Sequence, residues 1–211
     1  ETVTGQSFGG LMASGLLNVV GEHMNGLQIA GIANITASKL NGVQVALCNY
    51  ATKARGLQIG LVNYYKEDMK GFQLGLVNAN PDTKVQMMVY GGNATPANIG
   101  VRFKNQLFYT ILGVGSMYQG LNDKFSASAS YRAGLSFPLY KGLSISGDLG
   151  YQHIEAFDNK DEVIPKRLYA LQARANLEYQ FTKKFGIFAT GGYGVTRFYN
   201  KSSNYDKGAI I

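Results

Sequence analysis

The chain has 211 residues and a formal net charge of +7, with 45% hydrophobic but only 16% charged residues, a low charge content for a soluble surface of this size. No run approaches the ~18 consecutive apolar residues of a membrane helix, which excludes a helical membrane protein but not a barrel of alternating strands. The single cysteine, Cys48, excludes a disulfide framework and a thiolate metal site, and lysines spread through turn-like segments (Lys66, Lys70, Lys141, Lys183, Lys184) are too sparse for a nucleic-acid patch.

The 27 Gly, 14 Tyr and 11 Phe, with few prolines and no Trp, suit closely packed strands carrying interfacial rings. No secretory leader opens the sequence at Glu1; an envelope reading expects one to have been removed or to lie upstream.

Residues 10–92 contain a repeat. Gly26-Leu27-Gln28-Ile29, Gly42-Val43-Gln44-Val45, Gly56-Leu57-Gln58-Ile59 and Gly71-Phe72-Gln73-Leu74 recur at spacings of 16, 14 and 15 residues. Each leads to an asparagine: Asn34, Asn49, Asn63 and Asn78. A degenerate earlier copy runs from Gly10 to Asn18 with Met12 in place of Gln. Self-similarity at a fixed period marks repeated structural units.

Two structures accommodate this period. In one, each repeat is a membrane strand plus a tight turn, about ten residues and about five. Gly56 to Tyr65 is then one strand, Lys66-Glu67-Asp68 a turn and Met69 to Ala79 the next strand. Leu57, Ile59 and Leu61 face lipid in that arrangement, and Gln58, Gly60 and Val62 face inward. Cys48, in an apolar strand-like run, is buried or lipid-facing. In the other, each repeat is one coil of a β-solenoid, and the Gln and Asn residues stack into ladders. Lys84-Val85-Gln86-Met87-Met88-Val89-Tyr90 reads as another strand that carries the repeats into the second half without a linker, which favours a continuous barrel.

The units Gly56-Leu57-Gln58-Ile59-Gly60-Leu61-Val62-Asn63 and Gly71-Phe72-Gln73-Leu74-Gly75-Leu76-Val77-Asn78 resemble those of the surface-repeat-containing proteins of Gram-negative bacteria. Phe108-Tyr109-Thr110-Ile111-Leu112-Gly113-Val114-Gly115 is similar to the junction that follows the repeats in that family. The resemblance spans roughly residues 10–118. It implies a cell-envelope location and transfers no catalytic motif.

The second half alternates. From Phe125 to Leu139 every odd residue is apolar, while the even set is Ser126, Ser128, Ser130, Arg132, Gly134, Ser136 and Pro138. The pattern continues at Leu143–Gln152, Tyr169–Phe181 and Phe185–Thr196, with aromatic residues near the segment ends. Period two is the strand period. Segments this long exceed the common 5–6 residues of a globular strand and reach the ~9–11 needed to cross a bilayer obliquely. Tight turns at Lys141-Gly142 and Thr182-Lys183 alternate with polar connections at 156–166 and 200–207, the asymmetry of outer-membrane barrels. Lys207 to Ile211 reads as the start of one more strand, and the barrel reading expects a closing strand beyond it.

These observations predict an all-β chain: a transmembrane antiparallel up-and-down barrel of about twelve to fourteen strands in the bacterial outer membrane. Residues 1–211 form one barrel, with repeat-derived strands at 10–92 and long membrane strands at 97–211. The alternative is a β-solenoid followed by a smaller barrel. Polar side chains opposite the apolar stripe, Arg132, Asp148, Arg174 and Glu178, together with Gln58 and Gln73, line the lumen, either as paired charges filling it or as a pore lining. The expected role is a passive channel or a structural envelope element; the alternative is a non-catalytic interaction subunit or surface-displayed binding protein. A third possibility is a hydrolase centred on His153, near Glu155 and Asp158 at the rim, although no Ser adjoins it in sequence. No cofactor motif or metal-ligand spacing is present. The expected partners are outer-membrane lipid and, for a subunit, another outer-membrane protein, with no nucleic acid.

Overall fold

The computed structural model describes residues 1–92, 95–116, 125–157, 167–199 and 209–210, with backbone alone at 198–199 and 209–210. The chain forms two compact units, Glu1–Lys84 and Val85–Ile211.

The first unit contains β1 (Thr2–Thr4), β2 (Phe8–Ser14), β3 (Leu17–Val20), β4 (His23–Ala30), β5 (Ala33–Val45), β6 (Cys48–Ile59), β7 (Val62–Leu74) and β8 (Val77–Ala79). All of their ladders are parallel. Each residue lies beside its equivalent in the next repeat: Asn34 beside Asn49, Gln44 beside Gln58, Gly56 beside Gly71. This is a β-solenoid. The unequal repeat lengths are absorbed where the register shifts, between Thr36 and Lys39 and between Ala51 and Lys53.

The repeat residues explain the coil. Gly26, Gly42, Gly56 and Gly71 adopt φ of 137°, 141°, 130° and 148°, and a methyl group on any of them would run into the carbonyl of the preceding glycine in the column. Only glycine fits such a position. Inside, Asn18 Nδ2 donates to Asn34 Oδ1 at 2.9 Å, Asn34 to Asn49 at 3.0 Å, Asn49 to Asn63 at 2.9 Å and Asn63 to Asn78 at 2.9 Å. The glutamines form a parallel ladder, Gln44 to Gln28 at 2.8 Å, Gln58 to Gln44 at 2.9 Å and Gln73 to Gln58 at 2.9 Å. Beyond the glutamines the interior turns apolar, with Met12, Val20, Met24, Leu40, Ala51 and Ala54 packed together.

The repeats are therefore not strand-and-turn units of a transmembrane antiparallel barrel, and 1–211 is not one continuous wall of about twelve to fourteen strands. Lys66-Glu67-Asp68 lies within β7, at the charged corner of a coil where the β6–β7 register shifts rather than in a hairpin turn, and the other corners fall at Gly60-Leu61 and Gly75-Leu76. Leu57 is half-buried and Ile59 and Leu61 are exposed. Crossing the Gly60-Leu61 corner resets the parity, so Val62 is exposed rather than inward-facing. Gln58 and Gln73 do point inward, but into the closely stacked solenoid interior rather than a lumen shared with the second half.

The second unit contains β9 (Lys84–Tyr90), β10 (Ala97–Asn105), β11 (Phe108–Ser116), β12 (Ser126–Tyr140), β13 (Leu143–Ala156), β14 (Arg167–Gln180), β15 (Gly186–Tyr199) and the short β16 (Ala209–Ile210) in sequential order. Their ladders are antiparallel from β10 through β16. The four long strands are those of the alternating segments, 15 residues in β12 and 14 in each of β13, β14 and β15. Lys141 and Gly142, at φ of 32° and 87°, make the tight β12–β13 turn. The polar connections at 158–166 and 200–207 lie outside the described residues. Among the described residues, no ladder joins β9 to β15 or β16 and closes the sheet. It is nevertheless strongly curled, because side chains of β10 and β11 meet those of β13 and β14 across its concave face.

Candidate functional site

The concave face of the antiparallel unit gathers its polar residues. Strand alternation dictates this: Ser128, Arg132, Ser136, Ser146, Asp148, Gln152, Gln172 and Asn176 share the inward parity and are buried. The opposite parity is apolar and exposed, with Leu149 at 70%, Leu171 at 66% and Ile187 at 65%. A water-soluble sheet with one covered face has the reverse distribution.

The four charged residues expected there all lie on this face, and the ladder sets Asp148 directly opposite Arg174. Glu178 Oε2 forms an ion pair with Arg102 Nη2 at 2.8 Å and Oε1 accepts from Ser146 Oγ at 2.6 Å. Asp148 Oδ2 accepts from the Tyr109 hydroxyl and from Asn176 Nδ2, both at 2.9 Å. Arg132 places its guanidinium 5.0 Å from the centre of the Tyr90 ring, and Arg174 bonds the Gln172 amide oxygen. Sequence reasoning places Ser146 and Asn176 on the polar parity but misses Arg102 and Tyr109, which reach this network from β10 and β11. Arg102 carries a usable signal: Asn98, Arg102 and Lys104 alternate with Ile99, Val101 and Phe103.

The network divides the interior into two levels. Around Arg102, Tyr109, Asp148 and Glu178 the free space is about 10 Å³, room for about one water. Around Arg132 and Arg174 it opens into a cavity of about 250 Å³, also lined by Tyr90, Thr95, Gln152 and Gln172. Among the described residues, no carboxylate lines that cavity. Its charge is therefore positive, and a solute entering it would be favoured for negative charge.

His153 sits elsewhere, on the outward parity. Its Nε2 lies 3.6 Å from Glu155 Oε2, and Arg167 Nε approaches the other Glu155 oxygen at 3.4 Å. The register sets Ala129 and Tyr169 beside it, with the Tyr169 ring 4.9 Å away. Ser128 and Ser130 flank Ala129 but belong to the inward parity, so neither is placed as a nucleophile for this histidine. Asp158 lies outside the described residues. Among the described residues, no three His, Cys, Asp or Glu side chains converge as a metal site requires.

In the solenoid, Gln58 and Gln73 are occupied with one another and with Gln44. Near its last coil, burial raises the Tyr65 hydroxyl above the usual phenol range, opposed by the hydrogen bond it accepts from Asn80 Nδ2. Cys48 is exposed on the outside of a coil. No family model, curated protein or solved structure matches the chain.

Proposed function

We propose that this is a bacterial outer-membrane protein whose antiparallel unit faces lipid with its apolar surface and serves a structural envelope role rather than forming an open pore. The observation that carries the reading is the inverted polarity of the curled sheet, apolar outward and hydrogen-bonded polar inward. Exposing this much apolar surface to water is costly, whereas hydrocarbon accepts it. Strand length supports the same reading, as does the resemblance of the repeats to surface-repeat-containing proteins. The ion-paired level around Arg102 and Glu178 argues against free passage, because little space remains beside the pair.

A second reading, an interaction subunit of a larger outer-membrane complex, is favoured by β9. Among the described residues it pairs only with β10, while Val85, Met87 and Val89 are 62%, 81% and 78% exposed. Backbone groups of an edge immersed in lipid need partners, and a strand of another protein would supply them.

Membrane fractionation and planar-bilayer recording test the proposal. The protein is expected to remain with outer membranes through alkaline carbonate washing and to give no steady conductance after reconstitution. Release into the soluble fraction overturns the location; a stable ohmic conductance replaces the structural role with a channel.

A further inference from the structure

The solenoid carries an inversion of its own, confined to one edge. At the reversals between the glutamine and asparagine ladders, Leu16, Ile32, Leu47, Leu61 and Leu76 point outward and are 52%, 52%, 49%, 48% and 37% exposed. Ile29, Ile59 and Leu74 flank them on one side at 41%, 36% and 51%, and exposed Cys48 and Val62 flank them on the other. The segments forming this edge, 10–20, 26–36, 42–51, 56–65 and 71–79, contain no Lys, Arg, Asp or Glu. The charges of the repeats, including Lys39, Lys53, Arg55, Lys66, Asp68 and Lys70, all fall between these segments, at the opposite edge.

The interior is inverted to match. Behind the charged edge lies the apolar core of Met24, Leu40 and Ala54. Behind the apolar edge lie the amide ladders. There the asparagine side chains bond the backbone of the reversals: Asn18 to the Ile29 carbonyl at 2.8 Å, Asn34 to Val45 at 3.0 Å, Asn49 to Ile59 at 2.7 Å and Asn63 to Leu74 at 3.1 Å. Backbone N–H groups at the reversals bond the coil before or after, as Cys48 does to Ile32 and Gly60 to Leu74. Backbone groups satisfied from within in this way are compatible with an edge in hydrocarbon.

We infer that the uncharged turn edge of the solenoid is immersed in a bilayer leaflet, with the charged edge left in water. The inference rests on the envelope reading above and extends it to the half of the chain that reading leaves unplaced. From Leu61 at the tip to Tyr64 is three residues, about 10 Å at the rise of an extended strand, the immersion depth of an interfacial element rather than a span. Tyr50 and Tyr64, stacked with their centroids 5.8 Å apart, lie at that depth, where amphipathic rings meet the headgroups. The apolar band wraps both flanks of the edge. Lipid covers such a wedge from both sides, whereas a protein partner would have to clasp it.

Cys48 is a native reporter, since it is the only cysteine and sits on the proposed wedge. The full chain, labelled there with an environment-sensitive bimane, is reconstituted into phosphatidylethanolamine–phosphatidylglycerol vesicles. Doxyl-labelled lipid is expected to quench the probe severalfold, and aqueous iodide to quench it at least about fivefold less than a probe on Lys53→Cys in a Cys48→Ser background, at the charged edge. Iodide quenching equal at the two sites overturns the inference. So does a Cys48 probe shielded from both quenchers, which indicates a protein surface over the edge. Leu149→Cys in the Cys48→Ser background reports on the antiparallel sheet separately. Lipid contact at Leu149→Cys with a water-exposed Cys48 sinks the wedge and keeps the envelope reading; the opposite pair of results keeps the wedge and sinks the placement of the sheet.

Discussion

Gly42 is under two constraints at once. Its φ of 141° is strained for any L side chain, and a Cβ there would strike the Gly26 carbonyl oxygen of the neighbouring coil. Neither obstacle is the flexible end of a side chain, so the coils themselves would have to separate. Gly42→Ala is therefore expected to lower solenoid stability by at least about 2 kcal/mol, read as a shifted denaturant midpoint by circular dichroism. A methyl group added at Gly15 would meet nothing within contact distance, and Gly15→Ala should stay within about 0.5 kcal/mol. Equal effects at the two positions would contradict this account of the glycine column.

At the scale of the element, the ladders make the cost of a substitution depend on its place in the stack. Asn49, a middle rung, donates to the Ile59 carbonyl and Asn63 and accepts from Asn34. Asn49→Ala removes all of these and leaves the buried Asn63 Oδ1 without its donor, for an expected cost of about 1–3 kcal/mol. Asn18 begins the ladder, and its Oδ1 is already without a partner, so Asn18→Ala should cost less. Thermal unfolding of both variants checks the order, and a larger loss at Asn18 would refute it. The ladder is visible in sequence as recurring Gln and Asn, but its direction is not. Periodicity shows which residues share an environment and leaves open whether strands run parallel. Turn chemistry adds to the difficulty: polar Lys66-Glu67-Asp68 marks one corner of the coil, whereas the corner at Gly60-Leu61 is apolar and reads as strand. The long strands β12 to β15 are easier to read, because alternation over 14 or 15 residues depends only on one face differing from the other. The inward charges are legible for the same reason, while their partners on other strands, Arg102 and Tyr109, depend on how the sheet curls.

At the scale of the molecule, the two units solve the same problem by different hydrogen-bonding schemes. The solenoid repeats one amide contact along its axis; the sheet brings distant strands to a mixed ionic and neutral network. The Arg102–Glu178 pair has its two side chains only 10% and 12% exposed, so removing one partner leaves a charge with little water. Arg102→Met is expected to destabilise the antiparallel unit by about 3 kcal/mol, because the Glu178 carboxylate keeps the Ser146 bond but loses the guanidinium paired with it. Arg102→Met combined with Glu178→Leu should recover most of that loss, since an uncharged packed pair strands no ion. Because the chain divides into two compact units, denaturant unfolding in detergent should show two transitions. Gly42→Ala should move one midpoint and Arg102→Met the other. If each variant shifts both transitions equally, the units are energetically one body, and a polar interior in one half is then stabilised by the fold of the other.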